Sequence, residues 1–240
     1  MAPILSLDAV SKAYGALLAA DRVSLGLAEG ETLGILGPNG AGKTTLFNLI
    51  SGDVRPDAGR VLFRGEDITA LPPHARCRRG IGRSYQIPHP FAGMTVFENV
   101  LVGATFGGEL GEAEAARLCV EVLVRTGLVD KANRLAGALP LLDRKRLELA
   151  RALATRPAVL LLDEIAGGLA EHEARALVAE INALKASGVS MLWIEHVVHA
   201  LLAVADRLLV MNFGSTLAEG SPQAVIDDPE VKRVYMGVGT

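Results

Sequence analysis

Two kinds of apolar pattern alternate along this chain. Residues 4–10 and 20–27 repeat with period two around a glycine-containing turn, which predicts an antiparallel pair of strands. Glu31 to Leu36 is a short apolar run that enters Gly37-Pro38-Asn39-Gly40-Ala41-Gly42-Lys43-Thr44-Thr45, and a helical stretch follows to about Ser51. Arg60 to Arg64 predicts a further strand, with Pro72 and Pro73 punctuating the connection beyond it. At Pro88 and Pro90 the character changes, and helical runs at 95–104 and 112–127 follow. A helix from near Asp143 to Ala154 is stopped by Arg156-Pro157. Ala158 to Leu162 and Ser190 to Ile194 are continuous apolar runs, the pattern of strands buried on both faces, and helices are predicted at about 171–187 and 197–205. Strands alternating with crossover helices define a mainly parallel sheet. The expectation is a single α/β unit over 1–240, with a core from 1–87 and 149–240 that includes the N-terminal antiparallel portion. An α-helical lobe is inserted at 88–148.

Composition narrows this picture. Half of the 240 residues are hydrophobic and only 4% aromatic, so the core must be aliphatic, which suits helix-covered parallel sheets. The net charge of −3 is spread without long like-charge blocks, so no nucleic-acid partner is expected. The clusters Arg76, Arg78, Arg79 and Arg144, Lys145, Arg146 read as solvated faces. Cys77 and Cys119 are far apart and lack metal-spaced histidines, so both read as structural thiols in a reducing compartment. Met1 to Val10 has no basic leader region, and the most apolar stretch, Val189 to Met211, is interrupted by Glu195, His196, Asp206 and Arg207. A cytoplasmic protein that meets a membrane only through partners is expected.

The chemistry begins at the glycine-rich turn. Gly37 to Thr44 fits G-x-x-x-x-G-K-[ST] between a predicted strand and a predicted helix, the context that motif requires. Gly37, Gly40 and Gly42 let backbone N–H groups turn inward on phosphates, Lys43 suits the β- and γ-phosphates, and the Thr44 hydroxyl suits Mg²⁺. The buried strand ending in Asp163-Glu164 puts two carboxylates at the carboxyl edge of the sheet, where open α/β sheets bind ligands. Asp163 fits a Mg²⁺ shell, and Glu164 can orient or deprotonate an attacking water. His196 follows the next apolar strand and can reach a γ-phosphate from the same edge, although a lone histidine there is more often structural. His74, His89, His172 and His199 read as structural.

The phosphate loop, Tyr85-Gln86, Leu160-Leu161-Leu162-Asp163-Glu164 and Glu195-His196 stand in an order and spacing that resembles the ATPases of ABC transporters, over essentially the whole chain. The resemblance implies that Tyr14 stacks on adenine, that Gln86 links the core to the helical lobe and touches Mg²⁺ or the water, and that His196 contacts the γ-phosphate. It also extends the nucleotide contacts over Pro38, Asn39, Ala41 and Thr45. The implied assembly is a face-to-face pair with a second ATPase cassette, two transmembrane permease subunits and, indirectly, an extracytoplasmic substrate-binding protein, at the cytoplasmic face of the inner membrane. Arg83-Ser84-Tyr85-Gln86-Ile87-Pro88-His89-Pro90-Phe91, Met94 to Val100 and the ending Asp228 to Gly237 look like the ATPases of branched-chain amino acid importers. That ending and Leu71 to Arg76 are also similar to the lipopolysaccharide-export ATPase.

Three departures from the family pattern stand out. The family's Leu-Ser-Gly-Gly-Gln signature aligns with Leu139-Pro140-Leu141-Leu142-Asp143, Ile165 replaces a common proline, and Ala170 replaces the usual Asp or Asn. The signature change leaves Pro140 without an N–H, Leu141 and Leu142 blocking close approach, and Asp143 expected either to bring negative charge towards an anion or to cap the following helix. A chain that binds ATP yet hydrolyses little is the alternative these departures raise. The long coiled-coil inserts and doubled cassettes of ABC ATPases in DNA repair or translation are absent.

Overall fold

A computed structural model describes residues 2–236. The period-two segments form the hairpin of β1 (Leu5–Tyr14) and β2 (Leu17–Leu27), closed at Gly15 with φ +61°. This antiparallel layer is completed by β4 (Ala58–Phe63) beside β1 and by the two-residue β5 (Glu66–Asp67). The second sheet runs in the order β10-β9-β3-β8-β7-β6. Its members are β3 (Thr32–Leu36), β6 (Ile81–Arg83), β7 (Val159–Asp163), β8 (Ser190–Ile194), β9 (Arg207–Asn212) and β10 (Ser215–Gly220). All neighbours in it are parallel except β10 against β9.

Every residue of β3, β7 and β8 is buried, which explains their unbroken apolar runs. Alternate residues serve opposite faces. Leu160, Leu162, Met191 and Trp193 join a core with helices α5 (Leu141–Ala154) and α6 (Glu171–Ala186). Val159, Leu161, Leu192 and Ile194 join another with α1 (Lys43–Ser51) and the antiparallel layer. The parallel sheet is thus the middle of three layers, and its carboxyl edge stays open.

The basic cluster at 76–79 departs from expectation. In α2 (Pro73–Arg78), Arg76 is 1% exposed. Its guanidinium donates to the carbonyls of Leu49 (2.6 Å) and Ile50 (2.8 Å) at the end of α1, and to those of Leu71 (3.0 Å) and Thr69 (2.9 Å). Arg76 caps α1 instead of facing water, and burial lowers its pKa to about 10. Neither β6 nor the β9–β10 hairpin is predicted from pattern. β6 is only three residues long, and β9 lies inside the apolar stretch that also holds the predicted helix at 197–205. That helix is shorter, α7 (Val198–Leu202), and the hairpin turns through Phe213 and Gly214, both with positive φ.

The lobe contains α3 (Val96–Val102), α4 (Glu112–Arg125) and the first part of α5. Thr95 and Glu98 form a reciprocal capping box at the start of α3, and a π-helical turn, Gly103–Gly107, extends it. Cys119 is buried among the lobe's apolar side chains, and burial pushes its thiol up to about 11. Helix α5 is continuous from Leu141 to Ala154, so the expected division at 148 falls inside one helix shared by lobe and core. The short helices α8 (Pro222–Asp227) and α9 (Pro229–Met236) close the described chain, and Gly237 of the family-like ending lies outside the described residues.

Candidate nucleotide site

The turn from β3 to α1 wraps backbone around an open concavity. Gly37 (φ +151°) and Gly42 (φ +100°) lie in the left-handed half of φ space, and a Cβ on either would strike backbone: Met211 O at 2.4 Å and Ala19 O at 2.1 Å. The loop is pressed against β2 and the β9–β10 turn, where Gly214 N–H donates to Ala41 O (3.0 Å) and Asp21 N–H donates to Gly214 O (2.9 Å). Lys43 opens α1 with 6% exposure, and its Nζ donates to Gly37 O (2.7 Å) and Pro38 O (3.0 Å). Burial lowers its pKa, while the nearby charges of Glu164 and Asp163 oppose that shift.

A cavity of about 550 Å³ lies above the loop. Tyr14, Asn39, Gly40, Ala41, Gly42, Lys43, Thr44, Thr45, Gln86, Glu164 and His196 all line it, so eleven of the fourteen expected site residues meet in one place. Gly37, Pro38 and Asp163 stand behind that wall. Leu17, on the same hairpin as Tyr14, adds an apolar rim that motif reading misses. The Tyr14 ring is half-exposed, with Lys12 Nζ 5.7 Å from its centroid.

At the carboxyl edge, Asp163 is 3% exposed and its Oδ2 accepts from Arg83 Nη2 at 3.1 Å. Arg83 also donates to Asn48 Oδ1 (2.7 Å), Ser51 Oγ (3.1 Å) and Asp53 Oδ2 (3.0 Å), so it ties β6 to both α1 and β7. Nothing in its local pattern marks it beforehand. Burial raises the Asp163 pKa, with Arg83 opposing. Asp163 Oδ1 is buried without a hydrogen-bond partner. An orphaned carboxylate oxygen with Thr44 and Gln86 at the same cavity fits a Mg²⁺ ion, which keeps waters and shares its shell with phosphates. Among the described residues no cluster of three or more His, Cys, Asp or Glu side chains could hold a metal, so such an ion would depend on the nucleotide.

Glu164 has φ +46°, rare for a residue with a side chain. Its N–H donates to Ile194 O (2.9 Å). Its carboxylate is bracketed: His196 Nε2 lies 2.6 Å from Oε1, and the Gln86 amide donates to Oε2. The neighbouring Glu195 is 1% exposed and accepts from Ala166 N–H (2.7 Å) and His196 N–H (3.0 Å). Burial raises the Glu195 pKa.

The 139–146 segment corrects two expectations. Lys145 does not lie on a solvated face: it is 5% exposed, and its Nζ donates to Glu164 O at 3.2 Å. Asp143 is 2% exposed and turned inward on Lys131 Nζ (2.5 Å) and Arg146 (3.7 Å), so it brings no free charge to an outside anion. It sits in the first turn of α5, whose cap is Pro140, without a side-chain capping bond. Leu141 remains 45% exposed beside that cap.

A phosphate loop at the carboxyl edge of a parallel sheet, two strand-end carboxylates above it and an inserted helical lobe define a nucleotide-hydrolysing phosphate-loop protein. Residues 20–167 match the ABC transporter family, and residues 215–240 match the family described as branched-chain amino acid ATP-binding cassette transporter. The chain belongs to the ATP-binding family of ABC transporters and is an ATPase of that family. It is 37% identical to the high-affinity branched-chain amino acid transport ATP-binding protein LivG of Escherichia coli and 36% identical to BraF of Pseudomonas aeruginosa, covering 98% of each chain. It is also 36% identical to the lipopolysaccharide export system ATP-binding protein LptB of Acidithiobacillus ferridurans, over 99% of this chain and 98% of that one. Among solved structures, the ADP conformation of the ABC transporter cassette MJ1267 superposes with TM-score 0.89 at 33% identity, covering 99% of this chain and 100% of that one.

Proposed function

We propose that this chain is the motor subunit of an ABC importer for branched-chain or other hydrophobic amino acids or related amides. The observation that carries this reading is similarity to LivG and BraF over nearly the whole chain, together with the match of residues 215–240 to the branched-chain amino acid family. The similarity to LptB keeps lipopolysaccharide export as the second reading. Among the described residues no helix is long and apolar enough to cross a membrane, which suits a subunit held at the cytoplasmic face of the inner membrane by two permeases. The assembly is completed by a second cassette and an extracytoplasmic substrate-binding protein.

In this reading Tyr14 stacks on adenine, and the loop from Gly37 to Thr45 surrounds the phosphates with N–H donors. Lys43 exchanges the carbonyls of Gly37 and Pro38 for the β- and γ-phosphate oxygens, a charge-assisted replacement for two neutral contacts. Thr44, Asp163 and Gln86 would hold Mg²⁺, which when bound would neutralise charge developing on the phosphates. Glu164 accepts the proton of the attacking water, and His196 holds the γ-phosphate side of the site. Gln86 and His196 bracket the same carboxylate, so both side chains stand beside the group that takes the proton.

Glu164→Gln tests the chemistry. ATP binding is expected to stay within about twofold while turnover falls by about a hundredfold or more, and turnover at the parent rate rejects the assignment. Substrate class is tested by deleting the gene and measuring leucine uptake. Normal uptake with defective lipopolysaccharide export selects the second reading.

A further inference from the structure

Lys145 has no part in the site as built so far, yet it is a buried ammonium at the back of the catalytic loop. Its ammonium donates to the carbonyl oxygen of Glu164 at 3.2 Å, and its charge is felt by Glu195 and Glu164. A buried cation costs several kcal/mol unless compensated, so its placement calls for a reason. The loop it touches is strained at Glu164 and secured on its other side by Glu195, which takes Ala166 N–H and His196 N–H with one carboxylate. The same loop lies against the start of α5, where a Cβ on Gly168 would be 3.6 Å from Leu141 Cδ2.

We propose that Lys145 is a positioning residue through which helix α5 sets the backbone of Glu164, and hence the aim of its carboxylate at water. The inference rests on the reading of Glu164 as the group that takes the water's proton. Lys145 touches no expected nucleotide contact. It acts through one carbonyl, on the peptide that the positive φ of Glu164 makes least able to hold itself. Because α5 begins at the 139–143 segment, a shift there reaches Glu164 through a side chain one helical turn away. Glu195 on the far side makes the loop a span held at both ends, with His196 on the same support.

The test uses the full chain carrying Lys145→Met, Lys145→Arg or Glu164→Gln. The measurements are affinity for a fluorescent ATP analogue, single-turnover hydrolysis at saturating ATP, and hydrogen exchange in the peptides covering 163–168 and 37–45. Lys145→Met is expected to bind the analogue within about twofold of the parent, to hydrolyse about tenfold more slowly or worse, and to exchange faster at 163–168 with 37–45 unchanged. Lys145→Arg, which keeps the cation and the donors, is expected to recover most of the loss. If Lys145→Met does not fold, Lys145→Gln takes its place with the same expectations. Parent-rate hydrolysis in the lysine variant alongside a dead Glu164→Gln overturns this inference and leaves the role of Glu164 standing. Affinity falling in step with hydrolysis, or no recovery with arginine, marks Lys145 as a support of the fold and also overturns it. Parent-rate hydrolysis in Glu164→Gln removes both readings together.

Discussion

At the residue scale, the site separates grip from chemistry. Lys43 stands among its own loop's carbonyls with two carboxylates near, and the proposed reading puts the terminal phosphates beside it. Lys43→Ala is expected to reduce ATP affinity by about a hundredfold while leaving AMP binding within about threefold, because AMP lacks both groups that Lys43 meets. Equal losses for the two nucleotides, measured by titration calorimetry, contradict that role. Tyr14 offers an exposed ring beside an apolar rim, a surface that suits the proposed stacking on a base. Tyr14→Ala is expected to weaken ATP binding by about 1–3 kcal/mol and Tyr14→Phe hardly at all, while unchanged affinity in the alanine variant removes Tyr14 from the site.

At the element scale, α1 is held at both ends by groups from elsewhere in the chain. Its start is the phosphate loop, and its end is satisfied by Arg76 from α2. Arg76→Met keeps much of the side chain's volume but leaves buried carbonyls without donors, so a loss of about 2–5 kcal/mol in urea denaturation is expected. A change below about 0.5 kcal/mol would show that the carbonyls find other partners. Arg76 also shows where sequence reading stops. Patterns legible along the chain were those with a period or a motif: the buried runs of β3, β7 and β8, the β1–β2 hairpin, the phosphate loop and the Asp163-Glu164 pair. Arg76 and Lys145 instead owe their roles to partners distant in sequence, Leu49 and Glu164, and their neighbours read as ordinary charged surface, while Arg83, which meets Asp163, stands in a stretch that carries only the family resemblance. Asp143 was misread for the same reason, since Lys131 turns it inward from twelve residues away.

At the scale of the whole molecule, the start of α5 faces outward with Pro140 as its cap and Leu141 exposed. In the proposed assembly each site takes its phosphate loop from one chain and its signature from the other, so this segment would serve the site on the partner's loop. Pro140 has no N–H and Leu141 bars close approach, even though Asp143 adds no repulsion. A heterodimer with unequal sites is therefore expected, the faster one containing Lys43 and Glu164 of this chain. Glu164→Gln is expected to reduce the assembled transporter's turnover at least about fivefold more than the matching change in the partner cassette. A transporter built from two copies of this chain and no second cassette would rule it out.

The crowding at Gly42 has a mechanical consequence. Ala19 O sits where a Cβ of Gly42 would lie, and the Gly214 peptide bonds to both Ala41 and Asp21, so the hairpin bearing Tyr14 and the loop bearing Lys43 share one stiff frame. Under the proposed roles of Tyr14 and Lys43, the distance between adenine and the terminal phosphates is a fixed gauge, set without the helical lobe. Gln86, by contrast, lies on the connection between β6 and α3 that leads into that lobe. In the proposed reading the length of a nucleotide is measured by this frame alone, and hydrolysis depends on a side chain that the frame does not carry.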